Sequence, residues 1–166
     1  METPNLPAIR ALRPAWNKGR ILGQKRPLKP KHVWAIRVKL ELAANHRDLA
    51  RFNHGIDSKL RGCDPMKMKV VDVMASGQIK ERASVLQRKT QKPGRFEFSE
   101  GTRASLARWM REPLMMESEH LWPGRFHDRL HISTRQYARI VREWVTSIGL
   151  EASAYGTQSM RRTKVT

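Results

Sequence analysis

The chain has 166 residues, 39% of them apolar, which suits one ordinary domain with enough side chains for a core. Lys and Arg number 33 against 15 Asp and Glu, a formal charge of +18; a domain this basic repels itself unless a polyanion neutralises it, so nucleic acid is the leading partner. No apolar run approaches the roughly 18 residues of a membrane span, the N-terminus has no apolar signal core, and Cys63 stands alone, which excludes an internal disulfide and a Cys-rich zinc site; the expectation is a reduced, intracellular protein.

Residues 1–31 carry eight basic residues and one acidic residue, with prolines at Pro4, Pro7, Pro14, Pro27 and Pro30. Proline fixes φ and removes backbone donors, so this mix predicts an extended basic arm ahead of a domain spanning 32–166. The arm is either a plain tail or a segment that tracks phosphates. The remaining charge is +2 over 32–60, +6 over 61–112 and +3 over 113–166, which favours a broad basic face. Val33, Ile36, Leu40 and Ala44 predict a helix over 32–45, and Leu49, Phe52, Ile56 and Leu60 a second over 47–60. Pro65 limits the segment after Asp64 to a turn or a first helical turn. A strand is expected over Ile79–Gln87 and another over Gly94–Phe98, with Phe96 and Phe98 on one side and a basic turn, Arg88 to Pro93, between them. Helix returns over 102–111, with Leu106, Trp109 and Met110 inward, and Pro113 stops it. Ser133 and Gln136 form a capping box for a stronger helix whose apolar face is Tyr137, Ile140, Val141, Trp144 and Val145, closed by Gly149. A last helix starts with Thr157 as its cap and runs on to Thr166. The pattern is α+β, mainly helical, with a small antiparallel sheet between the second and third helices.

Several chemistries have no signature here. There is no GxxxxGK[ST] phosphate loop, no HExxH helix and no serine-nucleophile elbow. His127 and His131 are four apart but come after Pro123 and Gly124 in a loop-like stretch, and read as surface histidines; neither a metal nor a cofactor is expected.

Three basic positions differ from the general charge. Arg61 comes after an apolar helical stripe and has Asp64 three residues on: either a guanidinium held ready for phosphate oxygens or an ordinary surface pair. Lys89 lies in the basic turn, where it reaches a groove, donates a proton to a leaving oxygen, or is a solvated tip, with Lys92 its rival. The run Tyr155-Gly156-Thr157-Gln158-Ser159-Met160-Arg161-Arg162-Thr163-Lys164 places positions 158 and 161 on one helix face, beside N-terminal amides that favour an anion.

In this order the features resemble the catalytic domain of the tyrosine recombinases, the phage-integrase family of DNA breaking-rejoining enzymes. Leu60-Arg61-Gly62-Cys63-Asp64 is similar to the family's Leu-Arg-x-x-Glu/Asp box, Lys89 stands where its hairpin lysine belongs, and Gln158-Ser159-Met160-Arg161 resembles its His-x-x-Arg box. The resemblance covers about residues 32–166. It implies the recombinase catalytic fold without its C-terminal helices. The implied mechanism is attack of a tyrosine on a DNA phosphodiester, with no metal or nucleotide. In it Arg61 and Arg161 stabilise the phosphorane oxygens, Lys89 protonates the departing 5′ oxygen, and Asp64 orients Arg61 or its helix. Lys92, Arg162 and Lys164 are the expected flanking DNA contacts. Two departures shape the expectation. Gln158 stands at the family's histidine and cannot exchange a proton near neutral pH. The family's nucleophilic tyrosine lies after its second arginine, and neither Tyr137 nor Tyr155 does. The implied function is site-specific DNA recombination or integration for a mobile element, by a truncated chain that binds double-stranded DNA without completing cleavage. It acts alone, as a homo-oligomer or with a full-length recombinase on paired sites, in a bacterial-type cytoplasm at the nucleoid. The alternatives are a regulatory DNA-binding fragment and a non-specific nucleic-acid-binding basic protein.

Overall fold

The structure, a computed structural model, describes residues 24–62, 64–124 and 130–163. Its first helix, α1, spans Pro30–Leu42 and starts two residues earlier than the apolar period suggests. Pro30 is the first helical residue, where its missing N–H costs nothing, and the Lys29 N–H donates to His32 Nδ1 at 3.1 Å. Ala44, with φ +52°, breaks the chain direction, and Asn45 caps α2, His46–Ser58, by accepting the Asp48 N–H at 3.1 Å.

Helix α2 is the axis of the molecule. Phe52 and Ile56 are buried as the periodicity requires, but so are Arg51, Asn53 and His54. Arg51 is 2% exposed; its guanidinium meets Asp48 Oδ1 at 3.2 Å and lies 5.2 Å over the Trp122 ring, and burial lowers its pKa to about 10. Asn53 accepts from Arg37 Nε at 2.6 Å and donates to Ser105 Oγ at 3.1 Å. His54 sits among Phe96, Phe98 and Trp122 with Nε2 3.0 Å from Met68 Sδ, and burial pushes its pKa down to about 3. An apolar period cannot reveal such residues, because their burial depends on groups elsewhere in the chain: Trp122 for Arg51, Arg37 and Ser105 for Asn53, and Met68 for His54.

Lys59, at φ +51°, ends α2 in the left-handed region. Next come a 3-10 turn, Pro65–Lys67, and the single helical turn α3, Val70–Val73. Two small antiparallel sheets then replace the one expected: β1 (Met74–Ala75) pairs with β2 (Gln78–Ile79), and β3 (Arg82–Leu86) pairs with β4 (Pro93–Glu97). The strand expected from Ile79 is divided because Ile79 pairs back to Met74 through a turn at Ser76 and Gly77, both at positive φ. In the larger hairpin Ala83 faces Phe96 and Leu86 faces Pro93, which leaves Gln87 to Lys92 as its tip.

Helix α4, Glu100–Met110, is capped by Ser99, whose own N–H donates to Asp57 Oδ2 at 2.8 Å and so fastens α4 to α2. Leu106 and Trp109 are buried and Met110 half-buried. Helix α5, Thr134–Ser147, begins with Ser133 accepting the Gln136 N–H at 3.1 Å and buries Tyr137, Val141, Trp144 and Val145; Gly149 takes φ +82° beyond its end. A 3-10 turn, Ala152–Ala154, leads to α6, Thr157–Arg162. Gly156 rather than Thr157 is its cap, with the Gly156 N–H donated to Ser159 Oγ at 3.0 Å. The helix stops at Arg162 because Thr163 turns to extended backbone and spends its hydroxyl on the Leu28 amide and the Ser159 carbonyl. Helices α2, α5 and α6 meet at Gly55, where a Cβ would stand 2.6 Å from Tyr137 Oη and 3.1 Å from Met160 Cε. Among the described residues no helix is long and apolar enough to cross a membrane.

Candidate phosphate-binding cleft

The turn that ends α2 delivers Arg61 to the surface, half-buried, with its Nε enclosed and without a hydrogen-bond partner. Gly62 comes next. A side chain there would press on Thr134 Cγ2 at 3.3 Å and Thr157 Oγ1 at 3.4 Å, so its small size lets the starts of α5 and α6 close around Arg61. Asp64, 4% exposed, accepts the Arg88 N–H on Oδ1 at 3.3 Å. That bond ties the tip of the β3–β4 hairpin to the Arg61 loop across 24 residues of chain. The tip is tight, with Gln91 N donating to Gln87 O at 2.8 Å and Gln91 at φ +54°.

Arg61, Lys89, Gln158 and Arg161 line one cleft of about 810 Å³. They come from the end of α2, the hairpin tip and the exposed side of α6. Among the described residues no ion pair engages Arg61, Lys89 or Arg161, so their charge is not spent on a neighbouring carboxylate. A concave surface lined by several cations without counter-charges attracts an anion, and guanidinium forks match the oxygens of a phosphate. Of the two rival lysines, Lys89 lines the cleft, whereas Lys92 is exposed on the hairpin and not part of the lining. Arg162 also borders it, but its guanidinium donates to the Lys25 carbonyl at 3.1 Å and to Gln24 Oε1. Lys164 and His127 lie outside the described residues. His131 has its ring 5.5 Å from that of His120, and among the described residues no three His, Cys, Asp or Glu groups gather as metal ligands.

The sequence pattern missed one contributor to the cleft. Residues 24–29, the described end of the basic arm before α1, form a strap across α6. The Arg26 N–H donates to Ala154 O at 2.9 Å, Lys25 Nζ to Ser153 O at 2.7 Å, and the Leu28 N–H to Thr163 Oγ1 at 3.0 Å. Leu28 is 3% exposed and belongs to the core, and Gln24 lines the cleft. A single leucine between two prolines carries no periodic signal, so nothing local announces this docking.

No family model and no curated protein matches the chain. Solved structures do. The crystal structure of XerA recombinase superposes with a TM-score of 0.68 at 15% identity, over 84% of this chain and 48% of that one. The pre-cleavage complex of XerH site-specific recombinase bound to its difH substrate superposes with a TM-score of 0.57 at 14% identity, over 95% of this chain and 49% of that one. The chain therefore has a tyrosine-recombinase-like α+β catalytic-domain fold, and it spans about half the length of these recombinases.

Proposed function

We propose that the cleft binds a phosphodiester of double-stranded DNA, in a protein that acts in site-specific recombination or integration. The observation that carries this reading is the convergence of Arg61, Lys89 and Arg161, from three separate elements, on one cleft whose lining, among the described residues, holds no carboxylate. The fold it shares with XerA and with DNA-bound XerH supports it. Arg61 and Arg161 hold the non-bridging oxygens from two sides, and their charge matches a pentacovalent phosphorane better than a ground-state diester. Lys89, on the hairpin tip, is the proton donor to the departing 5′ oxygen once a nucleophile is supplied. Gln158 hydrogen-bonds a phosphate oxygen and takes no part in proton transfer. Asp64 sets the distance between the arginine and the lysine through the Arg88 amide.

These 166 residues hold the phosphodiester without opening it. Tyr137 is 1% exposed in the core, where burial raises its pKa, and Tyr155 lines a neighbouring cavity. The chain then serves by occupying sites, alone, as an oligomer or beside a complete recombinase.

Anisotropy titration of labelled duplex at fixed salt tests the reading. Arg61→Ala and Arg161→Ala are expected to weaken binding well beyond Lys18→Ala in the basic arm, and Lys89→Ala beyond Lys92→Ala. Equal, small losses at all of these positions would reduce the interaction to diffuse electrostatics and refute the cleft. No covalent protein–DNA adduct is expected after denaturing electrophoresis; an adduct would refute the non-cleaving role.

A further inference from the structure

Beside the cleft lies a second cavity, of about 500 Å³, bordered by Lys25, Arg142, Ser153 and Tyr155 and sharing Thr157 and Gln158 with the first. Two cations reach it from unrelated parts of the chain. Arg142 comes from the exposed face of α5, and among the described residues no ion pair engages it. Lys25 comes from the strap, where its Nζ is held by the Ser153 carbonyl, a neutral acceptor that leaves the full charge in place. The Ser153 hydroxyl lies 3.3 Å from Glu151 Oε1, and Glu143 is next to Arg142 on α5; both carboxylates belong to exposed residues.

We propose that this cavity is a second phosphate subsite, which takes the phosphate next along the strand whose diester occupies the cleft. The proposal rests on the reading of the cleft as a phosphodiester site. Gln158 stands on the boundary of both cavities, so a ligand that passes from one to the other keeps contact with the same side chain. A DNA strand supplies such a ligand, since its phosphates recur about every 3.4 Å of helix axis. A free phosphate or a lone carboxylate fills only one cavity. The strap makes the subsite more than a patch of surface charge. Hydrogen bonds from Lys25, Arg26 and Leu28, and from Arg162 back to the Lys25 carbonyl, pin Lys25 before any ligand arrives. Little backbone entropy is then lost when the strand binds. The end of the basic arm thus becomes part of the recognition surface, and the substrate is a continuous strand, read at consecutive phosphates.

The test is the salt dependence of duplex binding by the full chain. Each phosphate contact contributes roughly 0.9 to the slope of log K against log salt. Arg142→Ala is expected to lower that slope by about 0.9 and to weaken binding regardless of duplex sequence. Lys25→Gln is expected to do the same. Arg108→Ala, whose side chain borders a different cavity between α1, α2 and α4, should change the slope less. Lys25→Gln also loosens the strap, so thermal melting is monitored in parallel; Arg142 is exposed, and its variant decides the matter if Lys25→Gln melts early. An unchanged slope in Arg142→Ala, with Arg161→Ala still weakened, overturns the subsite and leaves the cleft standing. Equal slopes for Arg142→Ala and Arg108→Ala also overturn it. No loss in Arg161→Ala either would remove the cleft and the subsite together.

Discussion

Replacing Thr163 by valine should loosen the strap and the helix that carries Arg161 in one step. Thr163 is 0% exposed, and its hydroxyl does two things: it accepts the buried Leu28 N–H at 3.0 Å and donates to the Ser159 carbonyl at 2.6 Å. Valine has nearly the same shape but offers no acceptor, so the Leu28 amide stays buried without a partner, at a cost of about 1–3 kcal/mol. The Ser159 carbonyl loses little, because it still accepts the Thr163 backbone N–H at 3.0 Å. The added methyl group returns about 0.8 kcal/mol of apolar burial. The net loss is about 0–2 kcal/mol, which for a chain of this length corresponds to a fall in Tm of up to about 8 °C. Circular dichroism melting measures it, and Thr163→Ser, which keeps the hydroxyl, should recover much of the loss. The Leu28 amide should also exchange with deuterium faster in the valine variant, as local opening of the strap becomes easier. A valine variant that melts with the wild type and protects Leu28 equally would show that the strap is not held by this bond.

The packing around α2 makes two other outcomes testable. Gly55→Ala gains about 1 kcal/mol of helix propensity but forces a Cβ to 2.6 Å from Tyr137 Oη, and overpacking of this kind costs about 1–3 kcal/mol. The expected result in urea titration is a net loss of about 1 kcal/mol with weaker DNA binding, since Met160 is also displaced next to Arg161; a gain in stability would contradict the packing. His54 supplies a pH test. Its folded pKa, about 3, lies below the unfolded value near 6.5, so its contribution is complete above about pH 6.5 and is lost as the unfolded chain takes up a proton at lower pH. Stability should fall by about 1.4 kcal/mol per pH unit below that point on account of this residue. The part of the acid sensitivity that disappears in His54→Leu, measured by urea titration at about pH 7 and about pH 5, isolates it; identical pH profiles would place His54 outside the core.

Much of the architecture is legible along the chain because it depends on neighbours within a few positions. The helical period of Phe52 and Ile56, the Ser133 cap and the glycine at 149 are local devices, and they fall where the structure has them. The hairpin around Lys89 is equally local, since two β-rich runs with a basic turn between them have few other ways to pair. The order Arg61, Lys89, Arg161 can likewise be read without coordinates. What no local rule decides is that side chains separated by 28 and then 72 residues face the same space. That depends on Gly62 admitting two helix starts, on Asp64 reaching the hairpin amide, and on Gly55 drawing α6 against α2. The burial of Asn53 and His54 is decided in the same way, by partners distant in the chain, as is the Trp122 ring that covers Arg51. So is the end of α6, where Thr163 leaves the helix to meet Leu28, and the separation of Lys89 from Lys92, which the turn alone presents as equals. Periodicity and caps report how a segment saturates its own backbone and buries one face; which faces then meet is settled only when the chain closes on itself and distant donors and acceptors come into reach.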